Sequence, residues 1–194
     1  MLGNHDQPRV ASRVGAGQAR AAAMLLLTLR GTPTLYYGDE LGLVDVDVPP
    51  SRVVDPDGRD PERSPMPWTG SPGRGFCADG VEPWLPFGDP ALNVAEQESD
   101  PRSMLALHRR LLALRRSSAD LLEGAYETIA AGGGVLVYRR GAGTAVSLNL
   151  TSQPAVAPVS GSVVMTTGLD GREGEVIEGS LLLRPGEGAI TAAG

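Results

Sequence analysis

The chain has 194 residues and a formal net charge of −6, and all 17 of its basic residues are arginines. Hydrophobic residues make up 41% of the sequence and charged residues 21%, a globular composition that excludes wholesale disorder. A single cysteine, Cys77, excludes an internal disulfide and a zinc site built from cysteines. The acidic balance argues against a nucleic-acid partner, and no apolar run reaches the roughly 18 residues of a membrane span. We therefore expect a cytoplasmic protein with no membrane partner.

The first 40 residues predict one helix followed by a short strand. Residues 18–30 are rich in strong helix formers, and Gly31 and Pro33 are typical stop signals. Residues 32–37 are β-branched and aromatic, which favours a strand that leads into an acidic loop. A helix, a tight connection and a strand make half of a β/α repeat.

Residues 42–100 lack regular periodicity and are rich in proline, glycine and aspartate. Loops of this length are uncommon in compact domains and are either functional or disordered. Disordered segments are poor in aromatic residues, whereas this one contains Trp68, Phe76, Trp84 and Phe87. We therefore expect an ordered, functional loop. Its acidic residues do not have calcium-loop spacing and are typical of a solvated segment; they are Asp45, Asp47, Asp55 and Asp57.

A second helix is predicted over residues 101–117, with Asp100 as its N-cap and Pro101 at its first position. Met104, Leu107 and Leu111 recur at spacings of three and four, which indicates one apolar face.

The rest of the chain predicts β-structure. Short β-rich runs cover about 134–140, 144–150, 162–167 and 180–185, and glycine-rich turns separate them. An antiparallel sheet or sandwich of about 70 residues fits this pattern.

Two polar clusters are candidates for chemistry. Residues 4–9 (NHDQPR) combine an amide, an imidazole, a carboxylate and a guanidinium, which is also what a polar turn with local hydrogen bonds contains. Residues 58–68 (GRDPERSPMPW) alternate guanidinium and carboxylate groups and end on a tryptophan. Ion pairs that fix a long loop would explain this second cluster. A guanidinium held by a carboxylate beside an indole would also bind sugar hydroxyls.

These clusters stand in an ordered series, NHDQPR, GTPTLYYGDELG, GRDPERSPMPW, PWLP and DPRSMLALHRRLLALRR. The series resembles the α-amylase family of retaining glycoside hydrolases, in its α-glucosidase and oligo-1,6-glucosidase branch. The resemblance implies an α/β plus all-β fold, in which the last part of a TIM-type (β/α)8 barrel, from the end of strand 7 to helix 8, precedes a small antiparallel β-sandwich. The implied domains are residues 1–120, with the long loop at 42–100, and residues 121–194.

The resemblance also implies roles for single residues. Asp6 would be the catalytic carboxylate that stabilises the oxocarbenium-like transition state. His5 and Asn4 would bind the same sugar, and Arg59 would bind the terminal glucose. The residues expected to support these loops are Asp60, Arg63 and Arg9. The implied partner is an α-gluco-oligosaccharide substrate, and neither a cofactor nor a metal is implied.

The chain departs from the family in one respect. A retaining glycosidase needs a nucleophile and an acid/base carboxyl, and in this family both precede the NHD loop, where this sequence begins. We therefore expect a fragment of an enzyme that removes terminal α-linked glucose, inactive on its own. Two alternatives stay open: a non-catalytic sugar- or partner-binding module, and a trehalose synthase-like or other transglycosylating or isomerising relative.

Overall fold

A computed structural model describes residues 1–193 of the chain. Residue contacts divide it into two compact units, the first made of residues 1–16 and 34–106 and the second of residues 17–33 and 107 onward. This division differs from the predicted domain boundary at residue 120, which stays a prediction. Within the described residues, no helix combines the length and the apolar character that crossing a membrane requires.

Five α-helices form in the described residues, and two of them were predicted. Their bounds are α1 Val10–Val14, α2 Ala16–Thr28, α3 Val94–Ser99, α4 Met104–Ser117 and α5 Ala119–Leu122. The predicted helices at 18–30 and 101–117 are confirmed as α2 and α4. Helix α2 begins and ends two residues earlier than predicted, whereas α4 begins three residues later and ends at the predicted residue. The other three helices have four to six residues, too few to show a helical period.

The predicted N-cap of α4 is wrong, because a different side chain performs that function. The Ser103 hydroxyl accepts a hydrogen bond from the Ala106 amide at 3.0 Å, whereas the Asp100 carboxylate accepts from the Arg102 amide in the turn before the helix. Gln97, in α3, favours a start of α4 at Met104 rather than at residue 101. Its Oε1 accepts a hydrogen bond from the Leu105 amide at 3.0 Å, in the first turn of α4.

The predicted strand at residues 32–37 is also wrong. No described strand pairs with these residues, and they have no regular secondary structure. A strand is defined by its hydrogen-bonded neighbour, so β-branched and aromatic residues form one only where a partner lies alongside.

The long segment 42–100 folds through short turns beside a small apolar core. It contains 3₁₀ turns at Pro50–Arg52 and Pro61–Arg63 and the helix α3. Backbone hydrogen bonds close other turns, among them Trp68 N–H to Arg74 O at 2.8 Å. The core consists of Leu41, Leu43 and Leu105, with the partly buried Met66, Leu92 and Val94 packed against it.

The second unit contains two antiparallel sheets. The strands are β1 Tyr126–Gly132, β2 Val135–Arg140, β3 Thr144–Asn149, β4 Ala155–Ala157, β5 Gly161–Thr166, β6 Val176–Ile177, β7 Leu181–Leu183 and β8 Gly188–Ala192. The larger sheet has the order β1-β2-β3-β8-β5-β6, and the smaller one pairs β4 with β7. The four predicted β-rich runs are confirmed as β2, β3, β5 and β7. The β1–β2 turn uses Gly133 and Gly134, both with positive φ, which suits a tight hairpin.

One hydrophobic cluster joins the two sheets. Its buried members come from both sheets and the loop beside them; they are Val137, Ala157, Val159, Val163, Ile177, Leu181, Leu183 and Ala189. The alternation along β7, where Leu181 and Leu183 are buried and Leu182 is 61% exposed, is that of a strand with one face on a core.

Two buried arginines bind the carboxyl end of α2. The last carbonyls of a helix have no partner within it. Arg115 supplies partners, because its Nη1 donates to the carbonyls of Leu27 and Leu29 at 2.8 and 3.0 Å and its Nη2 donates to Gly31 at 2.6 Å. These bonds fix α4 against the end of α2.

Arg140, on β2, is fully buried beside the same helix end. Its Nη1 donates to the Thr28 carbonyl, and its Nη2 donates to the carbonyls of Leu121 and Gly124, each at 3.1 Å. Burial lowers the pKa of this guanidinium. Arg140 therefore ties α2, α5 and the main sheet together.

We expect the substitution Arg140→Leu to lower the free energy of unfolding by about 3 kcal/mol, because it leaves buried carbonyls without a charged donor. The matched control is Arg139→Leu on the same strand, whose half-exposed side chain forms an ion pair with Glu127. Such a surface pair contributes at most about 1 kcal/mol. Urea unfolding of both variants measures the difference, and equal losses would contradict this role for Arg140.

Candidate functional site

A tight turn presents the first polar cluster. Asn4 and Gln7 form a β-bridge, and the Asn4 side-chain oxygen accepts from the Asp6 amide at 2.9 Å. The side chains of His5 and Asp6 are 67% and 43% exposed, and His5 Nε2 lies 3.3 Å from Asp6 Oδ2. The turn therefore holds an imidazole and a carboxylate side by side, open to solvent.

The second polar cluster meets the first at Asp6. Arg59 Nη1 lies 3.2 Å from Asp6 Oδ1, and Arg63 Nη2 lies 3.5 Å from the same oxygen. Arg63 also donates from Nε to the His5 carbonyl at 2.9 Å. Two motifs more than 50 residues apart in the sequence thus form one group of charges.

Asp55 orients both arginines and was not among the predicted site residues. Its carboxylate accepts from Arg59 Nε at 2.6 Å and from Arg59 Nη2 at 3.0 Å, and Arg63 Nη1 lies 2.8 Å away. The expectation of a solvated acidic segment is wrong at Asp55, whose side chain is 5% exposed, although Asp57 is 71% exposed. The i to i+4 spacing of Asp55 and Arg59 was the sequence signal that could have found this pair.

Asp60 fixes the backbone at Asp55. It is buried, and its Oδ2 accepts from the amides of Val54 and Asp55 at 2.8 and 3.0 Å. These bonds fix the backbone of the residue that holds both guanidinium groups.

Arg9 is buried behind the turn. Its Nη1 donates to the Tyr37 carbonyl at 2.7 Å, and its guanidinium lies about 5 Å from the rings of Tyr36 and Tyr37. Its amide donates to Asp45 at 2.8 Å. The backbone just after His5 and Asp6 is therefore attached to the segment 36–45.

The buried carboxylate of Asp39 lies beside Arg9, with Oδ1 at 4.0 Å from Nη1. Within the described residues, Asp39 Oδ1 and Arg9 Nε and Nη2 have no hydrogen-bond partner. Burial raises the pKa of Asp39 to about 6, and the positive charge of Arg9 only partly opposes that shift.

The exposed part of the site is suited to bind hydroxyl groups. Asp55 occupies the Nε and Nη2 side of the Arg59 fork, so Nη1 is the nitrogen beside Asp6. A carboxylate acceptor and a guanidinium donor 3.2 Å apart can share a pair of neighbouring sugar hydroxyls through charge-assisted hydrogen bonds. The described residues contain no group of three metal-ligating side chains.

The hydrogen bonds from Arg59 hold the pKa of Asp55 at about 2, with smaller contributions from the Asp57 amide and Arg63. Because this pKa lies below its unfolded value of about 3.9, the stabilisation is complete above that value and is lost as the pH falls through 2.

We expect the Asp55 carboxyl carbon to titrate near pH 2 by NMR. The substitution Arg59→Gln should move that midpoint towards 3.9, and an unmoved midpoint would exclude Arg59 as the cause.

Comparison with known proteins places these motifs in a family. The model for the alpha-amylase catalytic domain matches residues 1–124. The salivary alpha-glucosidase of Anopheles gambiae is 35% identical over 82% of this chain, and a probable alpha-glucosidase of Rhizobium meliloti is 36% identical over 72%. A probable oligo-1,6-glucosidase 2 of Bacillus subtilis is 31% identical over 65%. These matches span 30%, 28% and 28% of the three relatives, so this chain corresponds to less than a third of their length.

Solved structures of one enzyme also match this chain over nearly its whole length. The trehalulose synthase MutB from Pseudomonas mesoacidophila MX-45 matches with a TM-score of 0.88 and 25% identity, over 98% of this chain and 42% of that protein. A MutB mutant in complex with its substrate sucrose matches with a TM-score of 0.87 and 25% identity, over the same shares. The chain therefore belongs to the α-amylase family of glycoside hydrolases.

Proposed function

We propose that this chain is the C-terminal part of an α-glucosidase-type hydrolase that removes terminal α-linked glucose from oligosaccharides. The observation that carries the proposal is the contact of Asp6 with Arg59, an exposed carboxylate and guanidinium brought together from two distant motifs. The α-glucosidase relatives support it. Because the chain spans only about three tenths of those relatives, the activity is proposed for a longer protein that contains it.

In this proposal, each site residue has a role that its position allows. Asp6 accepts hydrogen bonds from the hydroxyls of the terminal glucose, and its negative charge stabilises the oxocarbenium-like transition state. Arg59 donates from Nη1 to the same sugar, and His5 and Asn4 border it. Arg63, Asp60 and Arg9 keep these groups in place.

The proposed architecture is the end of a TIM-type barrel followed by a β-sandwich. The two sheets that share one hydrophobic cluster would be the sandwich. The cytoplasmic location stays a prediction, and two of the relatives are salivary alpha-glucosidases.

This chain alone would not hydrolyse glycosides under this proposal. Double displacement needs a nucleophilic carboxylate and an acid/base carboxyl about 5–5.5 Å apart on either side of the scissile bond. The proposed role of Asp6 is neither of these, and no segment of the sequence resembles the two corresponding family motifs.

A second candidate is an isomerase that transfers the glucosyl group to another sugar hydroxyl. It is favoured by the match to MutB, a trehalulose synthase, over 98% of the chain. Analysis of the products from sucrose distinguishes the two functions, since a hydrolase releases glucose and fructose whereas an isomerase yields a rearranged disaccharide.

In the longer enzyme, we expect the substitution Asp6→Asn to lower kcat at least about 10²-fold, because it removes the charge that stabilises the transition state. A neutral amide of the same shape keeps the turn, so the Michaelis constant should change less. The measurement is the steady-state hydrolysis of maltose.

The matched control is Asp47→Asn, since Asp47 is an exposed aspartate of the long segment 42–100 that has no role in the site. It should leave kcat within about twofold, as surface substitutions do. Similar kcat values for the Asp6 and Asp47 variants would contradict the proposed role of Asp6.

A further inference from the structure

A buried carboxylate lies behind the turn that carries Asp6, and the roles proposed so far do not use it. Asp39 begins the 3₁₀ turn Asp39–Leu41, and its side chain is 7% exposed. Aspartate is almost never fully buried unless it is paired. A buried oxygen without a hydrogen-bond partner, as at Asp39 Oδ1, therefore requires an explanation in structure or function.

Asp39 contacts the chain on both sides of Asp6. On one side it lies against Gly3, where a Cβ atom would be 2.7 Å from Asp39 Oδ2. On the other side, Arg9 Nη1 lies 4.0 Å from Asp39 Oδ1. Gly3 directly precedes the NHDQPR motif and Arg9 is its last residue. A movement of the Asp39 carboxylate would therefore displace the chain before and after Asp6.

The ion pair of Asp39 with Arg9 is incomplete. A separation of 4.0 Å is too long for a hydrogen bond, and Arg9 Nε and Nη2 have no partner among residues 1–193. Burial is the main cause that raises the pKa of Asp39 to about 6. The other charged groups that face Asp39 are Arg13 of α1, which lowers this pKa as Arg9 does, and Glu40 and Asp45, which raise it. The carboxyl therefore changes its charge in mildly acidic solution.

We propose that Asp39 is a positioning residue for the sugar site, and that its ionised form attracts Arg9 and fixes the turn that carries Asp6. This inference rests on the proposed function, since it takes Asp6 as a residue that binds the terminal glucose. An ionised Asp39 attracts the guanidinium, whose unpartnered nitrogens can then donate to Oδ1. A protonated Asp39 is neutral and lacks this attraction. The affinity for sugar should therefore increase as the pH rises through 6.

The first test needs no sugar and uses this chain with the substitution His5→Gln, because histidine ordinarily changes its charge in the same pH range. By NMR, the amides of Gly3 and Asp6 should shift with the midpoint of the Asp39 carboxyl carbon, near pH 6. The substitution Asp39→Asn should abolish this transition. Its amide has the shape of the protonated carboxyl, so the fold should be kept.

The matched control is Glu40→Gln, which removes the adjacent carboxyl of the same 3₁₀ turn. Glu40 accepts a hydrogen bond from the Gly38 amide at 2.7 Å, and its charge adds to the raised pKa of Asp39. This variant should keep the transition of the Gly3 and Asp6 amides and lower its midpoint slightly.

The second test measures the affinity for methyl α-glucoside by calorimetry at about pH 5 and about pH 7. The gain in affinity between these values should be about fivefold larger for the unsubstituted chain than for Asp39→Asn, at the lower end of coupling between sites. Both chains keep His5, so its contribution cancels in this comparison. Coupling is reciprocal, so saturating sugar should lower the midpoint of the Asp39 carboxyl from about 6 to about 5.3.

The outcomes separate this inference from the proposed function. Equal gains in affinity for the unsubstituted chain and Asp39→Asn would overturn the inference and leave the sugar site in place. Amides of Gly3 and Asp6 that do not follow the Asp39 carboxyl would overturn it as well. If no sugar binds at either pH, the proposed sugar site is wrong, and the amide titration alone decides whether Asp39 positions the turn. The reciprocal shift of the Asp39 midpoint requires no substitution, so it decides the question even if Asp39→Asn does not fold.

Discussion

The arrangement of the candidate site depends on the carboxylate of Asp55. Ion pairs at the surface usually contribute little, because water screens them and their side chains must be ordered. Asp55 differs, since its side chain is 5% exposed and it binds Arg59 through two nitrogens. Asp60 fixes the backbone of Asp55, Asp55 fixes the two guanidinium groups, and these meet Asp6. The buried residues Asp60 and Asp55 therefore fix the position of the exposed guanidinium groups. A ligand at Asp6 would find hydrogen-bond donors that are already oriented.

The two buried arginines of the second unit have a different role. Arg115 and Arg140 bind main-chain carbonyls at the end of α2, and no carboxylate takes part in the bonds described for them. A planar guanidinium with five donors can reach several carbonyls at once, which the compact ammonium of lysine does less well. The absence of lysine from the sequence is consistent with this use. The carbonyls at the end of α2 therefore receive their hydrogen bonds from arginines that are distant in the sequence.

The sequence predicts features that depend on neighbouring residues, and it misses those that depend on distant ones. Helices α2 and α4 follow from helix formers and from the spacing of Met104, Leu107 and Leu111. The strand at 32–37 failed because its propensity needs a partner strand, and no described strand pairs with these residues. The N-cap moved from Asp100 to Ser103 because Gln97, on another helix, bonds the first turn of α4. Asp55 was missed because burial is a tertiary property, and four aspartates in a proline-rich segment have the composition of a solvated loop.

Two carboxylates of the first unit respond to pH in opposite senses. Asp55 is paired with arginine and its pKa falls to about 2, so its contribution to stability is lost in acid. Burial raises the pKa of Asp39 to about 6, so the folded state favours its protonated form and its contribution is lost as the pH rises through 6. The pH range in which Asp55 stabilises the fold and the range in which Asp39 does so overlap near pH 4, the ordinary aspartate pKa. At neutral pH the unit therefore carries the cost of an ionised Asp39, and the adjacent charge of Arg9 reduces that cost. Arg9, the last residue of the NHDQPR motif, therefore connects the exposed turn to the buried carboxylate of Asp39.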